Sequence, residues 1–361
     1  MDIDFSRSIT LSHRALFRKK VLLFFFLLIL LGALIVYAIA VGSYELSSWS
    51  ILRALLGQAE GPVHTVVWNI RMSRIVAAMV SGWGLALSGM AFQSLLKNPL
   101  ASPSTLGISQ GAAFGAAFAV VALGAGGMQG GTLRMQGSSP LNIHSLYAVT
   151  FFAFVGAMAA TAVILALARI RKMSPEAIIL AGVALSSLFV SGTILLQYFA
   201  SEVELAAVVF WAFGDVARST WKEISIVAAA ALLSTLYFVL NQWNLNAFSA
   251  GEEVAKGLGV ETEKMRVSGL FMATLIAALI TCFHGVIAFL GLLAPHIGRR
   301  LVGSDHRLLI PHTCVIGAAL LLAADTIGRY VVGSGTLPVG VLTSFMGAPL
   351  FLYLLLRGST R

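Results

Sequence analysis

The chain has 361 residues, of which 58% are hydrophobic and only 11% are charged, and its formal net charge is +9. Soluble globular domains carry about 25% charged residues, so this composition, with a mean hydropathy of +0.90, excludes a soluble enzyme and indicates an all-α, polytopic membrane protein. The positive charge does not call for a nucleic-acid partner, because Lys and Arg collect in the cytoplasmic loops of membrane proteins.

The N-terminal part of the chain predicts a cytoplasmic segment followed by the first membrane helix. Residues 1–20 are polar and basic, and residues 21–41 form an apolar run. A basic stretch before an apolar one is also the pattern of a cleaved signal peptide, whose apolar core has about 7–15 residues. The longer run observed here has the length of a membrane span, which favours a retained helix.

The next part of the chain predicts an external loop and three further spans. Residues 43–69 are mixed in polarity and are interpreted as the loop. The spans are expected over residues 70–96, 105–124 and 146–168. Residues 125–143, rich in Gly, Ser and Gln, are expected to form an exposed connection without an assigned function.

Small residues recur at the start of the third span. Gly107, Gly111 and Gly115 follow one another at intervals of four, so they share a helix face that lets another helix approach closely. That helix could belong to the same chain or to a second copy, and packing within the chain is favoured.

A helix-start signal precedes the fifth span. Ser174 is a candidate N-cap, Pro175 suits the first helical position, and Glu176 suits the positive end of the helix dipole. The fifth span is expected to run from there to about residue 199. The sixth is expected over residues 224–240, after an external segment.

The longest polar segment after the N-terminus covers residues 241–266. Its composition predicts short helices with a glycine between them. The last four spans are expected over residues 267–283, 286–301, 309–330 and 338–356. Residues 21–357 would then form one domain of about ten transmembrane helices, with both termini in the cytoplasm.

The distribution of charge supports this topology, because most Lys and Arg residues fall in segments placed on the cytoplasmic side. Arg71, Arg74 and Arg329 break the rule, since the topology places them near the outer surface, and the sequence shows no folding need for them. Asp325 lies four residues before Arg329, on the same helix face. This spacing favours an ion pair over a proton-carrying role, the other common use of an intramembrane acid.

Several segments resemble the FecCD permeases, which are the membrane subunits of type II ATP-binding-cassette (ABC) importers for siderophores, haem and vitamin B12. In chain order, over roughly residues 65–357, these segments are RMSRIVAAMVSGWGLALSGMAFQSLLKNPLASPSTLGISQGAAFG, AGVALSSL, GEEVAKGLGV, GVIAFLGLLAPHIGRRLVGSDHR and LPVGVLTSFMGAPLFLYLL. The resemblance implies a homodimer of ten-helix subunits in the inner (cytoplasmic) membrane, in contact with lipid, with a translocation path at the dimer axis. Two ATPase subunits would lie below the path, and a periplasmic substrate-binding protein would dock above it.

The resemblance also implies a chain without enzymatic activity of its own. No G-x-x-x-x-G-K-[ST] phosphate loop occurs in the sequence. ATP and Mg²⁺ are therefore expected on the partner ATPase, with no cofactor on this chain.

The resemblance assigns roles to three groups of residues. Binding-protein docking is implied for Arg71, Arg74 and Arg329, and the alternative is that they anchor lipid headgroups. Coupling to the ATPase is implied for Gly251, Glu252, Glu253, Ala255, Leu258 and Gly259, and the alternative is a solvated loop. The path and its inner gate are implied for Ser174, Pro175, Glu176, Ser186, Ser187 and Ser191. Hydrogen bonds between helices are an equal alternative for each serine, and relatives often have small hydroxyl residues at the gate.

The implied substrate is an iron-siderophore complex or haem, with cobalamin or molybdate as alternatives within the family. A proton-coupled secondary transporter that uses Asp325 as its carrier is the alternative from a different class.

No metal site is predicted. His284, His296 and His312 fall at opposite sides of the membrane in this topology, so each is expected to pack or to cap a helix. Cys282 and Cys314 lie in apolar runs and are expected to be small buried residues without a disulfide.

Overall fold

The computed structural model describes residues 2–42, 44, 46–58, 61–125, 145–171, 175–332 and 337–358. Numbered in chain order, the α-helices are α1 (Asp2–Ala40), α2 (Ser48–Leu55), α3 (Pro62–His64), α4 (Ser73–Leu95), α5 (Ile108–Val121), α6 (Ser145–Arg171), α7 (Pro175–Tyr198), α8 (Glu202–Ala212), α9 (Trp221–Leu240), α10 (Gln242–Ala250), α11 (Glu252–Gly257), α12 (Thr262–His284), α13 (Leu290–Val302), α14 (His306–Val332) and α15 (Val339–Gly358).

Seven helical stretches in the described part of the chain are long and apolar enough to cross a membrane. They are Ala15–Ala40, Pro62–Leu95, Tyr147–Leu167, Pro175–Tyr198, Trp221–Leu240, Thr262–His284 and His306–Val331. Two shorter apolar helices accompany them, Ile108–Val121 and Val339–Tyr353. The predicted all-α, polytopic membrane fold is confirmed, while the count of ten spans and the placement of the termini remain predictions.

Two helices begin earlier than the sequence predicts. The first helix starts at Asp2, so the polar residues before the apolar run already belong to it. The second span starts at Pro62 and runs through α3 and a π-helical turn, Thr65–Met72, into α4. The pair Gly61-Pro62 is therefore a helix start, since proline has the φ angle of a first helical residue and needs no hydrogen bond there.

Two expected spans are short helices. α5 has 14 residues and α13 has 13, lengths of about 21 and 20 Å against a hydrocarbon core of about 30 Å. The predicted helix over residues 286–301 is wrong in its first part, because α13 starts only at Leu290. The backbone has φ +77° at Gly285 and +64° at Phe289. The positive φ at Gly285 ends α12, and α13 starts only after the positive φ at Phe289.

The helix α4 lies at the centre of the bundle, and nearly all of its residues are buried. A Cβ atom on Gly82 would overlap the carbonyl group of Gly317 on α14, and one on Gly89 would overlap the carbonyl group of Gly291 on α13. The absence of side chains at these positions therefore lets the two backbones touch α4 directly, as small residues do between membrane helices.

The glycines of α5 serve the same purpose within the chain. A Cβ atom on Gly111 would lie 2.5 Å from the carbonyl oxygen of Gly156 on α6, and one on Gly115 would overlap the carbonyl group of Phe152 on α6. The predicted packing of this stripe within the chain is confirmed.

We expect Gly82→Ala to destabilise the protein, because the added methyl group has to displace the backbone of α14. Overpacking of this kind costs about 1–3 kcal/mol, which exceeds the gain in helix propensity of up to about 1 kcal/mol. Thermal unfolding in detergent, followed by size-exclusion chromatography, measures the effect as a lower Tm.

The matched control is Gly32→Ala on α1, where an added Cβ meets nothing within 4 Å. Its Tm should equal that of the unmodified protein or lie slightly above it, because only the gain in helix propensity remains. Equal Tm values for the two variants would contradict the close helix contact at Gly82.

Candidate functional site

The bundle has polar clusters at both ends. The side that carries Arg71 and Arg329 is the outer side in the predicted topology, and the side that carries α10 and α11 is the inner side. Ser186, Ser187 and Ser191 of the implied path lie on α7 between them.

A buried cluster of charges joins the outer ends of α4 and α14. Asp325 on α14 is fully buried; its Oδ1 lies 2.7 Å from Nε of Arg74, and its Oδ2 lies 3.2 Å from Nε of Arg329. Asp215, which caps the 3₁₀ turn Val216–Arg218, lies 3.9 Å from Arg74. The predicted pair of Asp325 with Arg329 is confirmed. The sequence could not reveal Arg74 as the second partner, since it lies 251 residues away.

Two of the outer arginines bind the C-terminal end of α1. Arg71 donates through Nη1 to the carbonyl oxygen of Ile39 at 2.6 Å. Arg329 donates through Nη1 to the carbonyl oxygens of Ala38 and Val41, each at 3.1 Å. The last carbonyl groups of a helix lack partners within it and carry the negative end of its dipole, so these guanidinium groups cap α1.

These contacts bear on the docking role implied for the three arginines. Arg71 and Arg74 are 4% and 8% exposed, and the side chain of Arg329 is 8% exposed. The sequence-based interpretation that they have no folding need is therefore wrong, because they cap α1 and join α4 to α14. Docking through them remains a prediction, and a direct ion pair with a partner's carboxylate would need a conformation in which these contacts open.

The histidines make packing and capping contacts. Nε2 of His284 lies 2.9 Å from the hydroxyl oxygen of Ser219. His312 contacts the backbone carbonyl oxygen of Lys20 through Nε2, and the ring of His296 lies edge-on to that of Phe351. Among the described residues, no group of three or more His, Cys, Asp or Glu side chains could hold a metal ion. Both cysteines are buried free thiols, as predicted.

On the inner side, the polar segment forms the two short helices α10 and α11, as the sequence predicts. Gly251, with φ +137°, forms the corner between them, and Gly259, with φ +82°, follows the second helix. Such angles are open to glycine at little cost. These two glycines of the implied coupling set therefore shape the segment.

The remaining coupling residues divide between two faces of α11. The side chain of Glu253 is 89% exposed, and Leu258 is 69% exposed. Ala255 is fully buried, and Glu252 turns inward to Arg266 on α12, at 2.5 Å. Glu253 and Leu258 are thus available to a partner, whereas Ala255 and Glu252 hold α11 against the bundle.

The charge of Glu252 is maintained by its neighbours. Burial opposes its ionisation, but the nearby Arg266, followed by Lys256 and Lys97, outweighs burial and lowers the pKa of Glu252 below its ordinary value. The ion pair with Arg266 is therefore present throughout the physiological pH range.

A second contact fastens α10 to the start of α14. Asn246 donates to Oδ1 of Asp305 at 2.9 Å, and its own Oδ1 accepts from the backbone N–H of His306 at 2.8 Å. The hydrogen bonds of Asp305 with Arg307 and then Asn246 lower its pKa to about 2. Because the pKa is depressed on folding, the stabilisation is complete above the ordinary value of about 3.9 and is lost only as the pH falls towards 2.

The implied path residues separate into two groups on α7. Ser187 and Ser191 belong to an exposed face. The residues of this face recur every three or four positions and are Leu180, Val183, Ser187, Ser191, Ile194 and Tyr198. Ser186 instead faces the bundle, where its hydroxyl group contacts the carbonyl oxygens of Gly182 (2.8 Å) and Ser104 (3.4 Å).

The gate residues lie at the start of α7. Pro175 is its first residue, and Glu176 is an exposed acid in its first turn, as the helix-start signal predicts. Ser174 lies outside the described residues.

Comparison with known proteins identifies the family. The model of the FecCD transport family matches residues 27–357. The chain therefore belongs to the FecCD transport family. It is a multi-pass protein of the cytoplasmic membrane.

The FecCD relatives include a "putative ABC transporter permease protein" of Methanocaldococcus jannaschii, 49% identical over 322 residues that cover 89% of this chain and 90% of the relative. The hemin transport system permease of Yersinia pestis is 33% identical, over 91% of this chain and 95% of its own length. A solved structure, an inward-facing conformation of a "putative metal-chelate type ABC transporter", has a TM-score of 0.78 at 30% identity and covers 93% of this chain and 99% of its own.

We expect Asp325→Asn to destabilise the protein strongly, because it leaves Arg74 and Arg329 buried without their acid. Removal of one partner of a buried ion pair costs about 3–5 kcal/mol. The loss should appear as a lower Tm and a smaller monodisperse fraction in detergent.

The control is Glu261→Gln, which breaks an exposed pair with Lys264 at 3.8 Å. Exposed pairs contribute about 0–1 kcal/mol, so its Tm should match that of the unmodified protein. A Tm for Asp325→Asn equal to that of this control would refute the structural role of the cluster.

Proposed function

We propose that this chain is the permease of an ABC importer that moves a metal chelate, an iron-siderophore complex or haem, into the cytoplasm. The match of the family model to residues 27–357 carries the proposal. The arrangement of the inner side supports it, because a short helix with one face held by the bundle and one face exposed suits a transmitter of force from a partner.

The proposed partners follow from the exposed surfaces. Two ATPase subunits would contact the inner side through Glu253 and Leu258, and ATP with Mg²⁺ would bind to them. Two permease copies would enclose the path, because a path on a two-fold axis requires the same surface from each copy. The exposed face of α7 and the exposed apolar residues of α15, such as Phe345 and Leu352, are the proposed surfaces.

A substrate-binding protein is the proposed partner on the outer side. Docking by Arg71, Arg74 and Arg329 stays part of the proposal only for a conformation that exposes them. Charge reversal at Arg74 would disturb the pair with Asp325, so it tests folding before it tests docking.

The substrate class is inferred from the relatives. Their printed names include hemin and Fe(3+)-citrate systems, and also molybdate and vitamin B12 systems. Most of these substrates are metal chelates, which favours an iron chelate or haem, with cobalamin and molybdate as the alternatives. Asp325, enclosed by two arginines, gives no support to a proton-coupled secondary transporter.

Reconstitution tests the proposed function. The permease is co-expressed with a candidate ATPase and a candidate binding protein from the same organism and placed in liposomes with labelled iron-siderophore, haem, cobalamin or molybdate. We expect uptake of an iron chelate or haem that requires both partners and internal ATP, and native mass spectrometry should give two copies each of permease and ATPase. Uptake driven by a proton gradient without the ATPase would overturn the proposal.

The coupling surface yields a sharper prediction. Glu253→Arg combined with Leu258→Glu should lower co-purification of the ATPase and reduce ATP-dependent uptake at least tenfold, because both side chains are exposed. The contact of Glu253 with Lys256 at 3.2 Å is an exposed ion pair, and such pairs contribute little to stability. The Tm of the permease alone should not change.

The control for this double variant is Glu202→Arg, a charge reversal at an exposed residue of the outer side. It should co-purify with the ATPase normally. Normal co-purification of the Glu253→Arg, Leu258→Glu variant would place the ATPase elsewhere.

A further inference from the structure

A strained residue connects the end of α4 with α10 and α11, which together form the proposed coupling segment. Lys97 has φ +47°, and together with Phe289 it is one of two non-glycine residues with positive φ in the part of the chain that the structure describes. Glycine adopts such a conformation at no steric cost, whereas lysine does not. A lysine at this position therefore points to a use for its side chain, since strained backbone is commonly kept where function requires it.

The side chain of Lys97 contacts the coupling segment. Its Nζ lies 5.4 Å from the centre of the Phe248 ring, and the guanidinium carbon of Arg266 lies 5.6 Å from the same centre. Phe248, near the end of α10, is fully buried. Cations within about 6 Å of a ring centre are attracted to it, so two cations from different elements hold this ring.

The charges of Lys97 and Arg266 also stabilise the carboxylate of Glu252, the first charged residue after Phe248. Arg266 pairs with Glu252 at 2.5 Å, and the charge of Lys97 contributes to the lowered pKa of that carboxyl group. Lys97 is thus placed at the corner of α10 and α11, where it would respond to a displacement of either helix.

The turn that follows Lys97 is internally rigid. The backbone N–H of Ser102 donates to Oγ1 of Thr105 at 2.8 Å, and the N–H of Thr105 donates to Oγ of Ser102 at 3.2 Å. The N–H of Ile108 then donates to the carbonyl oxygen of Pro103 at 3.0 Å. These bonds leave the turn few ways to deform between Lys97 and α5.

This turn packs directly on α7, the helix that carries the proposed path serines. A Cβ atom on Gly182 would lie 2.8 Å from Cα of Leu106 and 2.9 Å from the carbonyl oxygen of Thr105. The Ser186 hydroxyl group also contacts the carbonyl oxygen of Ser104, at 3.4 Å. No side chain separates the turn from the helix at Gly182, so a shift of one is passed to the other, as in packed interfaces generally.

We propose that Lys97 is a positioning residue for transport, through which the coupling segment moves α7. Displacement of α10 and α11 by the ATPase shifts Phe248 and Glu252, Lys97 follows them, and the rigid turn carries the displacement to Gly182. This inference rests on the proposed function, because it assumes that an ATPase contacts α11.

The first test replaces the side chain of Lys97 in the complete complex of permease, ATPase and binding protein. Lys97→Met removes the charge and Lys97→Gly also removes the strain, and both should lower substrate uptake per ATP hydrolysed at least tenfold while the ATPase still co-purifies. Lys97→Gly should in addition have a Tm equal to or above that of the unmodified permease. Lys97→Arg, which keeps the cation, should restore most of the uptake.

The matched control is Lys19→Met, at an exposed lysine of the inner side, which should transport normally. A merely structural Lys97 predicts improved stability with normal coupling in Lys97→Gly, and that result would overturn the proposal. Loss of the ATPase from the Lys97 variants would also overturn it, by making Lys97 a direct contact of that subunit. Failure of the unmodified complex to use ATP would instead reject the proposed function.

A double-mutant cycle tests the second half of the connection. Gly182→Ala pushes the turn away from α7 and should also lower uptake per ATP at least tenfold. If Lys97 and Gly182 belong to the same connection, the double variant Lys97→Met, Gly182→Ala should have an uptake per ATP no lower than that of the more impaired single variant. Losses that multiply would show two independent effects and would contradict the proposal.

Discussion

Direct backbone contact with α4 is the constraint on which the rest of the bundle depends. Gly82 and Gly89 allow α14 and α13 to approach the central helix without intervening side chains. In a bilayer the lipid tails are as apolar as leucine, so close packing rather than water exclusion has to hold helices together. With α4 buried along most of its length, its two ends become the fixed points from which the polar clusters of both sides are built.

The two ends of the bundle use charge differently. On the outer side, Asp325 draws Arg74 and Arg329 into the interior, and Arg71 and Arg329 cap α1. On the inner side, Asp305 and Glu252 hold α10 and α11 but leave one face of α11 exposed. The outer cluster therefore fixes the positions of the helices, whereas the inner clusters hold α11 so that its other face remains accessible to a partner.

Because one face of α11 is exposed to a partner, the proposed connection through Lys97 can carry movement from that partner into the bundle. Membrane helices joined by backbone contact move as units, because packed interfaces have discrete arrangements and resist continuous deformation. A displacement of α10 and α11 moves Phe248 and Glu252, which contact Lys97 and Arg266 directly. Such a displacement can therefore shift the packed helices over a short distance. The turn between α4 and α5 then links the inner surface to α7, whose other face carries Ser187 and Ser191.

The sequence alone determined the all-α membrane fold, the start of α7 at Pro175 and the break at Gly251 in the coupling segment, since these follow from composition and from local backbone preferences. The family followed from the sequence in another way, through the resemblance of several long motifs. It could not place the break before α13, because residues 286–290 are apolar whether helical or not, and hydropathy carries no information about φ. It also could not place the outer arginines inside the protein. Only the tertiary structure decided that, because the partner of Arg74 lies 251 residues away and meets it only where α4 and α14 touch.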